Sequence, residues 1–239
     1  MRHRPEHRIN DLIRAGTKVF LDRGYKRAQM ADIAQAMGVA PGTVYLYVES
    51  KEALFDAVMR ASASEDGLQD VVLPLKTPTD KSTLTFIRDA LLAESRIVSL
   101  ETALAARKVR DVRVELGGIV RELFAKTSRR WLALKLLERS ALDWPELAAL
   151  WFGEHRLRIL QQLTRYFEHR MGSGRLRPAP HPAAAARLVL EMIAAFAMHC
   201  RTDHSSVQIN QAAAEATVID AIENAYLPQT QPSKKGRGK

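Results

Sequence analysis

Cysteine is nearly absent from this 239-residue chain, with Cys200 the only one, so an intramolecular disulfide and a cysteine-based zinc cluster are excluded. No run approaches the roughly eighteen uninterrupted apolar residues of a membrane span. No apolar stretch follows the basic N-terminal residues, as a secretory signal would require. The chain is therefore expected in the cytoplasm, with no membrane partner. Strand-like alternation is also missing, and from Thr79 onward every long segment repeats its apolar residues at helical spacing. There is no Walker loop, dinucleotide glycine fingerprint, Gly-x-Ser-x-Gly or His-Glu-x-x-His. No cofactor is expected, and an enzyme built on the helical part of the chain is the weaker alternative.

Acidic residues are outnumbered: 27 Asp and Glu face 36 Lys and Arg, for a net charge of +9 and a pI near 9.9. Such a balance favours a polyanionic partner. Residues 1–60 carry +3 and residues 227–239 carry +4, so the excess sits at the two ends. Arg2, Arg4 and Arg8, with His3 and His7, form an arm that could reach a groove or phosphates. The tail holds Pro228, Pro232, Gly236 and Gly238 and is expected to be disordered. The basic ends alone would also suit a sequence-indifferent architectural DNA-binding protein, the second alternative.

With 46% apolar residues the chain can bury a sizeable core, and its most informative stretch is Gln29–Phe55. Met30, Ile33, Ala34 and Met37 fall on one face of a short helix. Gly38 ends it, because glycine takes the left-handed conformation without a Cβ clash. Pro41 opens a second short helix at a position where its missing N–H is harmless, and Ala40 before it is a poor cap. That second helix is expected from about Pro41 to Val48. Val44 and Val48 would point inward, while Gly42, Thr43 and Leu46 face outward between Tyr45 and Tyr47. An outward Leu beside two tyrosines suits a major groove, where Leu can meet a thymine methyl, Thr a base edge and Tyr a backbone oxygen. Ser50 is a good N-cap for the next helix, but Lys51 then sits at that helix's positive end, a conflict that a nearby phosphate would remove.

These residues carry a resemblance. Phe20, Gly24-Tyr25, Met30-Ala31-Asp32-Ile33-Ala34, Gly38-Val39, Gly42-Thr43-Val44-Tyr45, Tyr47 and Ser50-Lys51-Glu52-Ala53-Leu54 together resemble the DNA-binding domain of the TetR/AcrR family of bacterial transcriptional regulators. The resemblance implies an all-α protein and an obligate homodimer, with an N-terminal three-helix helix-turn-helix domain and a larger C-terminal helical ligand-binding and dimerisation domain. It places Thr43, Tyr45, Tyr47 and Lys51 at double-stranded operator DNA, with Gln29, Met30 and Gly42 as lesser candidates. Ala28, Ala40 and Val48 depart from the family's usual Thr, Ser and Phe, and the first puts one phosphate contact in doubt.

The expected division is a helix-turn-helix head at 1–60, a ligand-binding and dimerisation part at 61–226 and a basic tail at 227–239. Helices are expected near 80–95, 99–109, 112–141, 145–171, 181–202 and 206–226, with Asp143 available as a cap before Pro145. Pro145-Glu146-Leu147-Ala148 resembles the opening of a C-terminal half in which two long helices pair across the dimer axis. Phe124, Trp131, Trp151, His155, Met192 and Phe196 are candidates to line a cavity for a small apolar or amphipathic effector. His199, Cys200, Asp203 and His204 share helix faces but lack a second histidine-rich motif, so no metal is expected.

Overall fold

The computed structural model describes residues 5–64, 67–68, 71–79, 81–203 and 209–228. Among them the chain is helical throughout, apart from one isolated parallel bridge between Val48 and Leu75. It divides into two compact units, residues 1–96 with 126–159 and residues 97–125 with 160–239.

The first unit opens with α1 (Pro5–Arg23), α2 (Met30–Met37), α3 (Pro41–Val44) and α4 (Lys51–Ala63). Ile9, Leu12, Val19 and Phe20 line the inner face of α1 and are buried, as their three-and-four spacing requires. Gly16 stands where α1 meets α4, and a Cβ there would lie 3.1 Å from Leu54 Cδ2. Phe20, Tyr25 and Phe55 pack as a ring cluster, with Phe20 and Phe55 edge-on at 5.2 Å. Trp144 stacks on Tyr25 at 4.6 Å. Aromatic pairs of this kind add about 0.5–1.5 kcal/mol beyond the burial itself.

The same unit continues with α5 (Ser82–Glu94), α8 (Trp131–Ala141) and α9 (Pro145–Ala148), which runs into a π-helical segment, Ala149–Arg156. α8 packs against α1 and α4, so the compact unit extends well beyond residue 60. Arg139 donates from its guanidinium to the Leu21 and Asp22 carbonyls at 3.3 and 3.0 Å, satisfying the exposed acceptors at the end of α1.

The second unit holds α6 (Val98–Ala105), the first part of α7 (Val112–Arg129), most of α10 (Leu157–Gly172), α11 (Pro182–Ala197) and α12 (Gln211–Tyr226). Arg170 is only 1% exposed. Its Nε and Nη2 donate to Glu115 Oε1 and Oε2 at 2.7 and 3.0 Å, a two-pronged pair joining α10 to α7, and Nη2 also donates to the Ala103 carbonyl of α6. Gly117 faces α12, where a Cβ would come within 2.8 Å of Glu223 Oε1. By length and composition alone, Pro182–Arg201 is apolar enough to cross a membrane. Its Ala185, Ala186, Val189, Ile193 and Ala197 are buried within the unit, while Leu188 remains 52% exposed.

Several element boundaries differ from the expected ones. Regular α-helix in the segment expected as a second short helix over Pro41–Val48 ends at Val44, and the chain continues as a tight turn in which Leu46 and Tyr47 donate to the Thr43 and Val44 carbonyls three residues back. The single helix expected over 112–141 breaks at Arg130, whose φ of −102° and ψ of 14° are not helical. Asp143 does not cap α9: Trp144 holds that position and the Asp143 carboxylate oxygens accept no hydrogen bond. The start expected at 206 and the residue His204 lie outside the described residues, as do most of the basic tail and Arg2, His3 and Arg4.

Candidate nucleic-acid interface

The turn between α2 and α3 follows directly from its glycine. Gly38 adopts φ 66° and ψ 35°. Val39 then donates to the Ala34 carbonyl at 3.0 Å and Gly38 to Gln35 at 3.1 Å, the paired bonds that close a helix at a left-handed residue. At the other end of α2, the Gln29 amide donates to Asp32 Oδ2 at 3.0 Å, and Asp32 also pairs with Arg23 at 3.2 Å. Gln29 itself is exposed and Met30 half-buried.

On the reading segment, Val44 and Val48 are completely buried, so they anchor it as expected. The opposite side is open. Leu46 is 68% exposed and Tyr45 50%, Gly42 is exposed, and Thr43 and Tyr47 are half-buried. A Cβ added at Gly42 would meet nothing within 4 Å, so no packing among the described residues demands a glycine there. The tightened turn after Val44 brings Tyr45, Leu46 and Tyr47 round faster than an α-helix would.

Lys51 resolves its conflict with the helix N-terminus inside the chain. Its Nζ donates to the Lys26 and Ala28 carbonyls at 3.2 and 3.0 Å and lies 4.7 Å above the Tyr25 ring. Tyr25 in turn donates from its hydroxyl to Glu52 Oε1 at 2.8 Å. Burial, then the Glu52 carboxylate, raise the Tyr25 phenol far above its usual range.

Residues 71–79 form a strap that sequence inspection reads only as a break. Leu75 donates to the Tyr47 carbonyl at 2.8 Å and accepts from Glu49 N at 3.0 Å. Lys76 Nζ reaches Glu49 Oε1 at 2.6 Å, the Thr77 amide donates to Glu49 Oε2 at 2.9 Å, and the Thr77 hydroxyl donates to Ser50 Oγ. The Lys76 hydrogen bond, then that of Thr77, hold the Glu49 carboxyl below its ordinary range. Pro74 and Pro78 announce an extended segment, but nothing local in sequence announces its partner.

The six effector candidates divide between the units. Trp131 is half-buried on α8, and Trp151 and His155 are buried on the π-helical segment, their rings stacked at 5.3 Å. His155 Nδ1 lies 2.8 Å from Ser95 Oγ and 3.2 Å from the Leu91 carbonyl. Burial lowers its pKa to about 4. Phe124, Met192 and Phe196 belong to the second unit, Phe124 fully buried and the other two half-buried. A cavity of about 150 Å³ lies between α4, α5 and α8, lined by Met59, Phe86, Ile87, Leu134 and Leu137 among others. None of the six candidates lines it; its walls are residues that read in sequence as ordinary core. Among the described residues no three potential metal ligands lie together.

A helix-turn-helix with an exposed reading face, set in an all-helical chain, defines a DNA-binding transcriptional regulator. Residues 12–58 match the description "Bacterial regulatory proteins, tetR family", and residues 127–226 match "AefR-like transcriptional repressor, C-terminal domain". The chain belongs to the TetR family of transcriptional regulators, which are not enzymes. It is 27% identical over 100 residues to the fatty acid metabolism regulator protein of Bacillus subtilis (strain 168), covering 41% of this chain and 52% of that one. It is 34% identical over 56 residues to the HTH-type transcriptional repressor KstR2 of Mycolicibacterium smegmatis, covering 23% and 27%. These matches span about half of the first curated relative and about a quarter of the second. The structure of the ketosteroid transcriptional regulator KstR2 of Mycobacterium tuberculosis shares the fold, with a TM-score of 0.57 over 93% of this chain and 96% of that one at 13% identity.

Proposed function

We propose that this regulator is a cytoplasmic repressor that binds a near-palindromic operator as a homodimer and leaves it when a small molecule occupies its helical part. The observation that carries the DNA half is the open face of the reading segment: an exposed Leu46 between Tyr45 and Tyr47, beside a Gly42 that no packing among the described residues requires. Thr43, Tyr45, Leu46 and Tyr47 would meet base edges and nearby backbone. Gln29, Met30 and Lys51 would meet phosphates at the margin, where contacts set position rather than sequence. Two copies would place their reading segments in successive major grooves about 34–36 Å apart.

The head at 1–60 would read DNA, residues 61–226 would hold the effector and the dimer seam, and the tail from 227 would add charge. Exposed Leu188, Ala183 and Ala184 on α11, beside the exposed Arg187–Glu191 pair, support a seam along that helix, since small residues let helices approach closely. An effector acts only by its differential affinity for the DNA-competent and DNA-incompetent states.

The test is a footprint titration on the gene's own upstream region with competitor DNA. A protected palindrome, released by a bound small molecule, is expected. Protection without preference for any site would favour the architectural alternative instead.

A further inference from the structure

The cavity between α4, α5 and α8 is apolar on every side but one. Among the described residues, Glu94 and Arg130 supply the only polar side chains in its lining. Arg130 donates from Nε to Glu94 Oε1 at 3.2 Å and from Nη1 to the Ala63 carbonyl. Lys126 Nζ and Arg129 Nη2 stand 3.6 and 3.9 Å from Glu94 Oε2, close enough to pair in charge but too far to hydrogen-bond. Among the described residues, that buried oxygen accepts no hydrogen bond. Among the described residues, three cations thus gather around one carboxylate, and two positive charges are left over at the edge of an apolar cavity. Lys126, Arg130 and Glu94 are each only about a quarter exposed or less, so water screens this surplus less than it would on an open surface.

We propose that this cavity takes an amphipathic carboxylate. Its tail lies among Met59, Phe86, Ile87, Ala90, Leu134 and Leu137. Its head displaces part of the Glu94 pairing and accepts charge-assisted hydrogen bonds from Arg130 and Lys126. The guanidinium of Arg130 still has donors to offer, because among the described residues its Nε and Nη1 alone are engaged, by Glu94 and Ala63. The tail is short: about 150 Å³ falls below the roughly 300–1,000 Å³ of pockets for larger ligands. The site rests on the effector reading above and specifies its chemistry.

Calorimetric titration of the full chain, free of DNA, with straight-chain carboxylates from butyrate to decanoate tests this, with 1-octanol and octylammonium as head-group controls. At least one carboxylate binds, at least about tenfold more tightly than the alcohol of equal length, and weakens with salt. Arg130→Gln, or Lys126→Gln if the first is poorly folded by circular dichroism, weakens carboxylate binding roughly 10- to 100-fold. Either variant leaves octanol within about threefold. Glu94→Gln acts in the opposite sense and tightens the carboxylate, which a merely structural role for the cluster would not produce. Equal binding of octanol and octanoate, a preference for octylammonium, or no binding by any carboxylate overturns the proposal. Because these titrations contain no DNA, a protein that footprints an operator yet binds no carboxylate refutes the ligand class alone. One that binds carboxylate yet protects no site refutes the operator reading alone.

Discussion

Replacing Lys51 with alanine separates two roles for one ammonium group. Inside the chain it fastens the Lys26 and Ala28 carbonyls and caps the Tyr25 ring, all in the turn that enters α2. Hydrogen bonds to a charged group contribute roughly 1.5–3 kcal/mol when buried. For a half-buried lysine the loss should be nearer 1–2 kcal/mol after screening by water. Carbonyl dipoles do not cancel the charge, so the ammonium can still act on a DNA phosphate. Each phosphate neutralised contributes about 0.9 to the slope of log K against log salt, so the homodimer proposed above, losing both contacts, would flatten by about 1.8. Between 50 and 200 mM salt that flattening shrinks the affinity gap between wild type and variant by about twelvefold. Fluorescence anisotropy on operator and random duplexes across that range measures the slope, and urea unfolding measures the stability. A folded variant that loses stability but keeps the wild-type slope would make Lys51 a clamp alone and refute the phosphate role.

Tyr47→Ala and Thr43→Ala should weaken operator binding and blur its sequence preference by about 1–3 kcal/mol per lost base contact, read as the ratio of specific to random-duplex affinity. Gly42→Ala should stabilise the head by up to about 1 kcal/mol, since helix propensity improves and the new methyl meets nothing, while operator affinity falls because backbone and groove are held apart; equal affinity in a gel-shift titration would remove Gly42 from the interface. Arg170→Met should cost about 3–5 kcal/mol in urea unfolding by stranding the Glu115 carboxylate, and Arg170→Met with Glu115→Leu should recover part of it. His155 sets an acid limit. Its folded pKa of about 4 lies below the ordinary imidazole value of 6.5, so the unfolded chain takes up the proton first and stability is lost as pH falls from about 6.5 towards 4, by about 3 kcal/mol in all. His155→Phe should flatten that dependence, and an unchanged pH profile of the melting temperature would show that His155 is not its source.

Much of the fold was legible because its causes are local. Apolar spacing alone separated the buried faces of α1, α2 and α4, and Gly38 forced the turn between α2 and α3 through its positive φ. The boundaries that moved are those set by neighbours. Nothing in Thr43-Val44-Tyr45 dictates that the helix tightens after Val44; the strap does, by pulling the Tyr47 carbonyl and the Glu49 amide into hydrogen bonds with Leu75. Asp143 looked like a cap by spacing, but its side chain lies against the Gly24 turn, where a Cβ on that glycine would stand 3.2 Å from Oδ2. Long-range packing overrode the local preference.

The candidate site divides in the same way. Which residues of the reading segment face out follows from where Val44 and Val48 must go, and a single helical wheel suffices for that. The apparent conflict at Lys51 was also a sound deduction from its place at the first turn of α4. Its resolution was not legible, because the carbonyls that receive the ammonium lie some 25 residues earlier in the chain and become acceptors only when the turn after α1 closes. The cavity between α4, α5 and α8 is the extreme case. Met59, Phe86, Leu134 and Leu137 repeat at helical spacing just as core residues do, and periodicity cannot tell a side chain that packs against another from one that borders empty space. Only Glu94 and Arg130, polar residues turned toward that space, give the cavity a chemistry, and their meeting depends on the break at Arg130 that no residue before it announces.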